Sequence, residues 1–412
     1  MIFHGEFVRA IYVDKHIPRI LLTKIVTPVW PGFVWTPLSS ARVTDLPDAS
    51  LPGPDWVRVE NRCCGICASD LSLLFVRADP SVAPSALPGL NRFWLGHEVV
   101  STVTEMGPDV SRYKVGDRVL MDSYHYGAHC LSLGIQPVCR YCAVGNTRFC
   151  INRSEPGPHG MGGGFGDGYI AHDSDVYLCP PDLTFDQGLF VEPLGIVMQA
   201  VLRRSPAGGE KVLIYGAGII GLLATMVVKA LAPQAEVTVM ARYTHQAELA
   251  EKLGASHVLR VRGREAYAEV ARVTGGKYFS APLNKGIVLG GFDVIYDCVG
   301  NEESLTNSLR WTRAGGTVMI IGLHMSPMKN IDLTLVWYSH INLIGSFMHG
   351  HSEWNGQRKH DYERVIDLYR QGKLDIAGLI THRFPVQDYK EAIRVASDKG
   401  KEKAVKVVFE HS

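Results

Sequence analysis

The chain has 412 residues, of which 46% are apolar and 20% charged, with a formal net charge of +1. That length exceeds one ordinary core and calls for two domains of a soluble globular chain, and no Lys/Arg cluster is dense enough to track a phosphate backbone, so nucleic-acid binding is set aside. Membrane insertion is set aside too: the longest apolar stretch, residues 212–228, carries three glycines at a meaningful spacing and reads as a buried strand entering a buried helix.

Taken in chain order, residues 56–60, 98–103 and 117–121 are short runs rich in β-branched residues, separated by turns such as Gly107-Pro108-Asp109 and Val115-Gly116-Asp117. They predict an all-β, barrel-like unit with long loops. The Pro/Gly-rich loops 78–91 and 151–167 are candidates for lining a substrate entrance. From Pro193 the texture changes. Strands at 211–215, 236–240, 292–296, 317–321 and 341–344 alternate with helices at 219–230 and 245–253, the second closed by Gly254. This alternation is the signature of a doubly wound parallel sheet. A helix at 362–371 and a strand at 404–409 follow, in a tail expected to rejoin the first domain. The expectation is an α/β protein in which residues 1–192 and 346–412 form the barrel domain and residues 193–345 a Rossmann domain.

Tyr215-Gly216-Ala217-Gly218-Ile219-Ile220-Gly221 follows a predicted strand and opens a predicted helix, the context a dinucleotide fingerprint requires. Gly216 serves the tight turn, Gly218 the approach of a pyrophosphate, and Gly221 the packing of helix on strand. The next strand ends Met240-Ala241-Arg242. The position where NAD sites place an acid for the ribose is Ala241, and a cation follows it. Arg242 suits a ribose 2′-phosphate, so NADP(H) is favoured over NAD(H). The bland alternative is a solvated arginine that merely follows a strand.

Residues 1–7 carry no secretory pattern, and nine cysteines in such a chain point to a reducing, cytoplasmic setting where metal ligands outrank disulfides. Cys67, His97 and Glu98 offer a thiolate, an imidazole and a carboxylate, the ligand types of a catalytic zinc with one open position. Asp70 could fix the tautomer of His97 through its far nitrogen, and Ser69 could take a proton from a bound alcohol. A buried inert cysteine and a core histidine would be the default for either residue alone. Cys139, Cys142 and Cys150, with Cys130 upstream, could close a four-cysteine structural zinc; Cys139 and Cys142 could instead be a redox pair.

Beyond these sites, Gly65-Ile66-Cys67, Gly96-His97-Glu98, Lys114-Val115-Gly116-Asp117-Arg118-Val119, the glycine fingerprint, Asp297-Cys298-Val299-Gly300 and Gly315-Gly316-Thr317-Val318 occur in one order. In this the chain resembles the zinc-dependent medium-chain dehydrogenase/reductase superfamily from roughly Trp56 onward. The resemblance implies a GroES-like catalytic domain beside the Rossmann domain, with Cys67 and His97 on catalytic zinc and Glu98 a ligand or exchangeable neighbour. Val191-Glu192-Pro193-Leu194 looks like the polyol and threonine branches, where Glu192 would take the third ligand position; a carboxylate at a helix start is the competing reading. Val299 and Gly300 fall to the cofactor. Three departures stand out: Gln136 replaces the usual first structural cysteine, Ser72 a relay histidine, and Ser101 a common glycine. The N-terminal extension and residues 275–290 exceed the family's usual lengths. The expected activity is zinc-assisted hydride transfer between NADP(H) and an alcohol, polyol or amino-alcohol, in a homodimer or homotetramer. A biosynthetic reductase of an activated C=C or C=N bond and a non-catalytic NADPH sensor are the alternatives.

Overall fold

The computed structural model describes residues 7–47, 49–79, 91–122, 128–154, 162–282 and 284–411. Residues 80–90 and 155–161 of the two candidate entrance loops lie outside them. Two compact units emerge, Met1–Glu192 with Gly378–Ser412, and Pro193–Ala377.

The first unit opens with strand β1 (Phe7–Asp14), helix α1 (Ile17–Val26) and strand β2 (Ala41–Pro47), followed by β3 (Trp56–Gly65), the short helix α2 (Ala68–Leu74), β4 (Arg92–Trp94), β5 (Glu98–Met106), β6 (Arg118–Met121), β7 (Gly168–His172) and β8 (Val176–Leu178). Helix α3 (Phe185–Arg203) leads into the second unit. After residue 378 the chain returns with β19 (Ile380–Pro385), α10 (Tyr389–Ser397) and β20 (Lys406–Glu410). The main sheet runs β19-β20-β3-β5-β6-β8, with β7 also on β3. Strand β3 is central: Val57, Val59 and Cys64 are buried in one core with Leu95, Val99, Val103 and Phe409, while Arg58, Glu60 and Arg62 alternate with them as partly exposed residues. The N-terminal extension supplies β1 and β2 of a separate sheet, β2-β1-β4, in which β1 pairs with Arg92–Trp94. It grips the end of the second candidate loop, since the Arg9 amide donates to Asp167 at 2.9 Å.

The second unit contains β9 (Lys211–Tyr215), α4 (Ile219–Leu231), β10 (Glu236–Met240), α5 (Thr244–Lys252), β11 (His257–Leu259), α6 (Gly263–Thr274), the hairpin β12 (Lys277–Ala281) and β13 (Asn284–Leu289), β14 (Phe292–Asp297), α7 (Glu302–Trp311), β15 (Thr312–Ile320), α8 (Thr334–Tyr338), β16 (Asn342–Gly345), the hairpin β17 (His351–Trp354) and β18 (Gln357–His360), and α9 (Asp361–Arg370). Six strands form a sheet in the order β11-β10-β9-β14-β15-β16, every adjacent pair parallel. The direction of winding reverses between β9 and β14, the switch point at which such sheets bind ligands beyond the strands' carboxyl ends. The long stretch at 275–290 is the β12–β13 hairpin, whose Val288 and Tyr278 pack with Tyr267 and Trp311.

One boundary needs correcting. The sequence reading returned the chain to the barrel domain from 346, but residues 346–377 belong to the second unit. The reason is packing: Tyr362 at the start of α9 lies so close to Gly195 that a Cβ there would stand 2.9 Å from its ring, and Ser352 donates to Gln199 at 3.3 Å. Only from Gly378 does the chain rejoin the first unit.

Candidate functional site

Cys67 ends the loop after β3 and is the N-cap of α2. Asp70, three residues on, closes the cap: its Oδ2 accepts the Cys67 amide at 3.0 Å. Its other oxygen accepts the Gly96 amide at 3.0 Å and lies 3.4 Å from His97 Nδ1. One carboxylate therefore ties together two loops that are distant in sequence. Burial alone would raise the Asp70 pKa, yet His97 and these two amides hold it below the usual carboxylate range. Burial likewise disfavours a charged His97, but Asp70 and Cys67 outweigh that and push its pKa up. The Sγ of Cys67, a ring nitrogen of His97 and a carboxylate oxygen of Glu98 lie within 4.8 Å of one another. Ser69 Oγ stands 3.4 Å from His97 Nε2, whereas Ser72 turns back to the Ala68 carbonyl at 2.9 Å.

Lys406 is the residue that the sequence did not disclose. It arrives on β20, and its ammonium pairs with Glu98 Oε2 with both side chains only 1% exposed. No spacing rule links positions 98 and 406; the one available signal was a lysine inside the apolar strand pattern Ala404 to Phe409. Burial opposes the charge on Lys406, but Glu98 and Cys67 raise its pKa overall. Gly65 makes the arrangement possible, because a Cβ there would lie 2.2 Å from Glu98 Oε2.

Glu192 sits in the third turn of α3, so the helix-start reading does not hold. Its burial pushes the carboxyl up to about 8, with His97 opposing and Glu98 adding to the shift. Its oxygens fall outside the group of three donors within 4.8 Å.

Ser101 acquires a role the sequence had not offered. Its hydroxyl donates to Asn61 Oδ1 at 2.9 Å, and Asn61 Nδ2 donates to the carbonyls of Gly163 (3.0 Å) and Gly166 (2.7 Å), all buried. That pinned loop bonds to Leu95 and Gly96, next to His97.

Elsewhere in the same unit, one thiol each from Cys130, Cys139, Cys142 and Cys150 lies within 4.8 Å of the others. Asn152 donates to two of them, Cys150 through its amide (3.3 Å) and Cys130 through its side chain (3.2 Å). The Cys142 amide leads the effects that bring the Cys139 thiol down to about 6. The fourth thiol of the group is that of Cys130, the position of the usual first cysteine being Gln136.

In the second unit the fingerprint turn follows β9. Gly216 has φ +101°, and a Cβ on Gly221 would stand 1.7 Å from the Gly216 carbonyl, so the helix can approach only as glycine allows. Gly218 caps α4, with Ile219 and Ile220 in its first turn, and the space over Gly218 is open. Across the switch point, Asp297 Oδ1 accepts the amides of Val299 (3.0 Å) and Gly300 (2.9 Å), shaping the turn after β14. Ala241 is buried and Arg242 is exposed, its guanidinium 5.3 Å over the Tyr243 ring.

A barrel with a thiolate, imidazole and carboxylate cluster, and a separate Rossmann sheet with its fingerprint at the switch point, define a metal-assisted dinucleotide oxidoreductase. The comparisons agree. The family described as "Alcohol dehydrogenase GroES-like domain" matches residues 53–181, and that described as "Zinc-binding dehydrogenase" matches residues 220–370. L-idonate 5-dehydrogenase of Vitis vinifera is 27% identical over 370 residues, covering 87% of this chain and 88% of its own. Sorbitol dehydrogenase of Mus musculus is 27% identical over 84% of this chain and 86% of its own. A zinc-binding dehydrogenase of Sinorhizobium meliloti, solved bound to NADP, superposes with a TM-score of 0.70 at 25% identity, covering 98% of this chain and all of that one. The chain belongs to the zinc-dependent medium-chain dehydrogenase/reductase superfamily. It is an oxidoreductase of alcohols and carbonyl compounds that works with zinc and a nicotinamide cofactor. Among the described residues no helix is long and apolar enough to cross a membrane.

Proposed function

We propose that this enzyme interconverts an alcohol of the polyol class and its carbonyl partner, with NADP(H) as the hydride carrier. The observation that carries the reading is the three-donor cluster of Cys67, His97 and Glu98. Its donor set fits zinc with an open position, and Asp70 stands behind the distal nitrogen of His97, as metal-bound histidines require. When bound, zinc polarises the substrate oxygen and the nicotinamide takes or gives the hydride. Cys67 and His97 hold the metal. Glu98 divides its carboxylate between the site and Lys406, and Glu192 is the reserve ligand or a proton holder. Asp70 keeps the proton on His97 Nδ1 and leaves Nε2 facing the site. Ser69, beside Nε2, carries the substrate proton towards water, a role in which Ser72 takes no part because its hydroxyl is spent on a backbone carbonyl.

Cys130, Cys139, Cys142 and Cys150 are assigned to a second, structural zinc. Gly216, Gly218, Ile219, Ile220, Gly221, Val299 and Gly300 are assigned to the cofactor, with Arg242 favouring the 2′-phosphate. The polyol class is supported by the similarity to sorbitol and idonate dehydrogenases. Family membership supports a cytoplasmic homodimer or homotetramer. The test is metal analysis combined with initial rates on a panel of polyols, simple alcohols and amino-alcohols with NADP+ and NAD+. Two zinc ions per chain and NADP+-linked polyol oxidation that disappears on zinc removal are expected. Full turnover of a zinc-free preparation would sink the scheme.

A further inference from the structure

Arg242 follows β10 at the carboxyl edge of the sheet. The neighbouring strand supplies a second cation, Arg260. Strands β10 and β11 are parallel and in register through Met240 and Leu259, and the ladder runs one step further because the Ala241 amide donates to the Leu259 carbonyl at 2.9 Å. That register puts Arg260 beside Ala241. Alternation along paired strands then sends the Arg260 side chain off the same face as Ala241, the position where an acid would take the ribose hydroxyls of NAD. Strands β9, β10 and β11 are consecutive neighbours, so the fingerprint turn, Arg242 and Arg260 line one carboxyl edge of the sheet. At the spacing of parallel strands this edge is only about 10 Å wide from β9 to β11.

Three further features mark this edge as built for an anion. Arg242, Arg260 and Arg262 are all exposed, and among the described residues none has a carboxylate partner. Other arginines of the unit do: Arg204 pairs with Glu210 at 2.7 Å and Arg313 with Asp293 at 2.5 Å. Helix α5 starts at Thr244, two residues after Arg242, with no acid in its first turn, and α6 starts at Gly263 with Arg262 as its N-cap. Both amino termini add positive potential at the same edge. Glu265, in the first turn of α6, is the one acid close by in sequence.

We propose that Arg260 is a specificity-determining residue that, with Arg242, clamps the 2′-phosphate of NADP(H) from the adjacent strand. The inference rests on the nicotinamide-binding reading, and one binding experiment separates the two. NADPH, NADH and the fragments 2′,5′-ADP and 5′-AMP are titrated, by calorimetry or fluorescence, into the zinc-loaded enzyme and its Arg242→Ala, Arg260→Ala and Arg260→Lys variants. Charge-assisted bonds to phosphate lead us to expect the NADPH and 2′,5′-ADP dissociation constants to rise about tenfold or more in each alanine variant. NADH and 5′-AMP should stay within about twofold, and Arg260→Lys should recover part of the loss. Equal weakening of NADPH and NADH in Arg260→Ala, or no change in either, overturns the proposal. An unsubstituted enzyme that prefers NADH overturns it too, while leaving the dehydrogenase reading intact. Failure to bind either dinucleotide would instead remove that reading.

Discussion

Two thiol-containing clusters in the first unit are built on opposite principles. The Cys67, His97 and Glu98 cluster stands at the ends of paired strands. Its members are fixed by a cap, by Asp70, by Lys406 and by the loop that Asn61 pins. The four-cysteine cluster lies in a segment of turns and short 3-10 helices, where the buried core is the cysteines themselves with Ile135 and Val138 against them. In the first case the fold holds the donors in place; in the second the donors hold the fold. On the assignment proposed above, a metal serves chemistry at one cluster and local structure at the other.

The sharpest way to break that contrast is a matched pair of substitutions. Cys67→Ser should lower kcat/KM by about a thousandfold or more while the melting temperature scarcely moves, since only the metal's polarisation is lost. Cys142→Ser should do the reverse, opening residues 130–152 to protease and releasing one zinc while the other stays. Steady-state kinetics, limited proteolysis and metal counting decide it; equal unfolding by both variants would erase the distinction.

A smaller effect is expected from Lys406→Met. It strands Glu98 as a buried carboxylate without a cation, a loss of about 3–5 kcal/mol by precedent for broken buried pairs. Adding Glu98→Gln should return most of it, measured by denaturant unfolding. No rescue would mean that Lys406 acts through packing alone.

The smallest effect concerns acid. His411 donates from Nε2 to the Gly164 carbonyl at 3.1 Å, in the loop behind His97, and its buried Nδ1 has no partner among the described residues. Burial pulls its pKa from the usual 6.5 down to about 4. Between those values the unfolded chain binds a proton that the folded chain refuses, so stability is full above about pH 7 and falls as pH drops towards 4. The contribution is on the order of 3 kcal/mol. His411→Gln keeps a donor without the titration and should flatten that limb of the stability profile, read by melting temperature against pH. An unchanged profile would place the acid sensitivity elsewhere.

How far the sequence reached follows from the same contrast. The Rossmann strands and the switch point were legible because helix and strand periodicities and a glycine spacing are local. So were Cys67, Asp70 and Ser69, three neighbours on one cap. Lys406, Asn61 and Arg260 were not, because each acts through strand pairing, which no local pattern encodes. The tail was misread for a related reason. Residues 346–377 carry ordinary helix and hairpin patterns, and contacts distant in sequence, Tyr362 with Gly195 and Ser352 with Gln199, tie them to the second unit. The competing reading of Glu192 as a helix-start carboxylate falls because α3 begins at Phe185 and runs through Pro193.

The buried pair of Glu98 and Lys406 spans 308 positions of the chain. A ribosome therefore delivers every zinc donor of the first unit long before it delivers the cation that neutralises one of them. Until β20 is made, β3 lacks a neighbour and the carboxylate lacks its counter-charge, so the donors exist for most of translation without the pocket that turns them into a centre. Order of synthesis thus sets order of assembly: a product truncated before position 406 lacks the counter-charge of Glu98 and the strand that pairs with the end of β3.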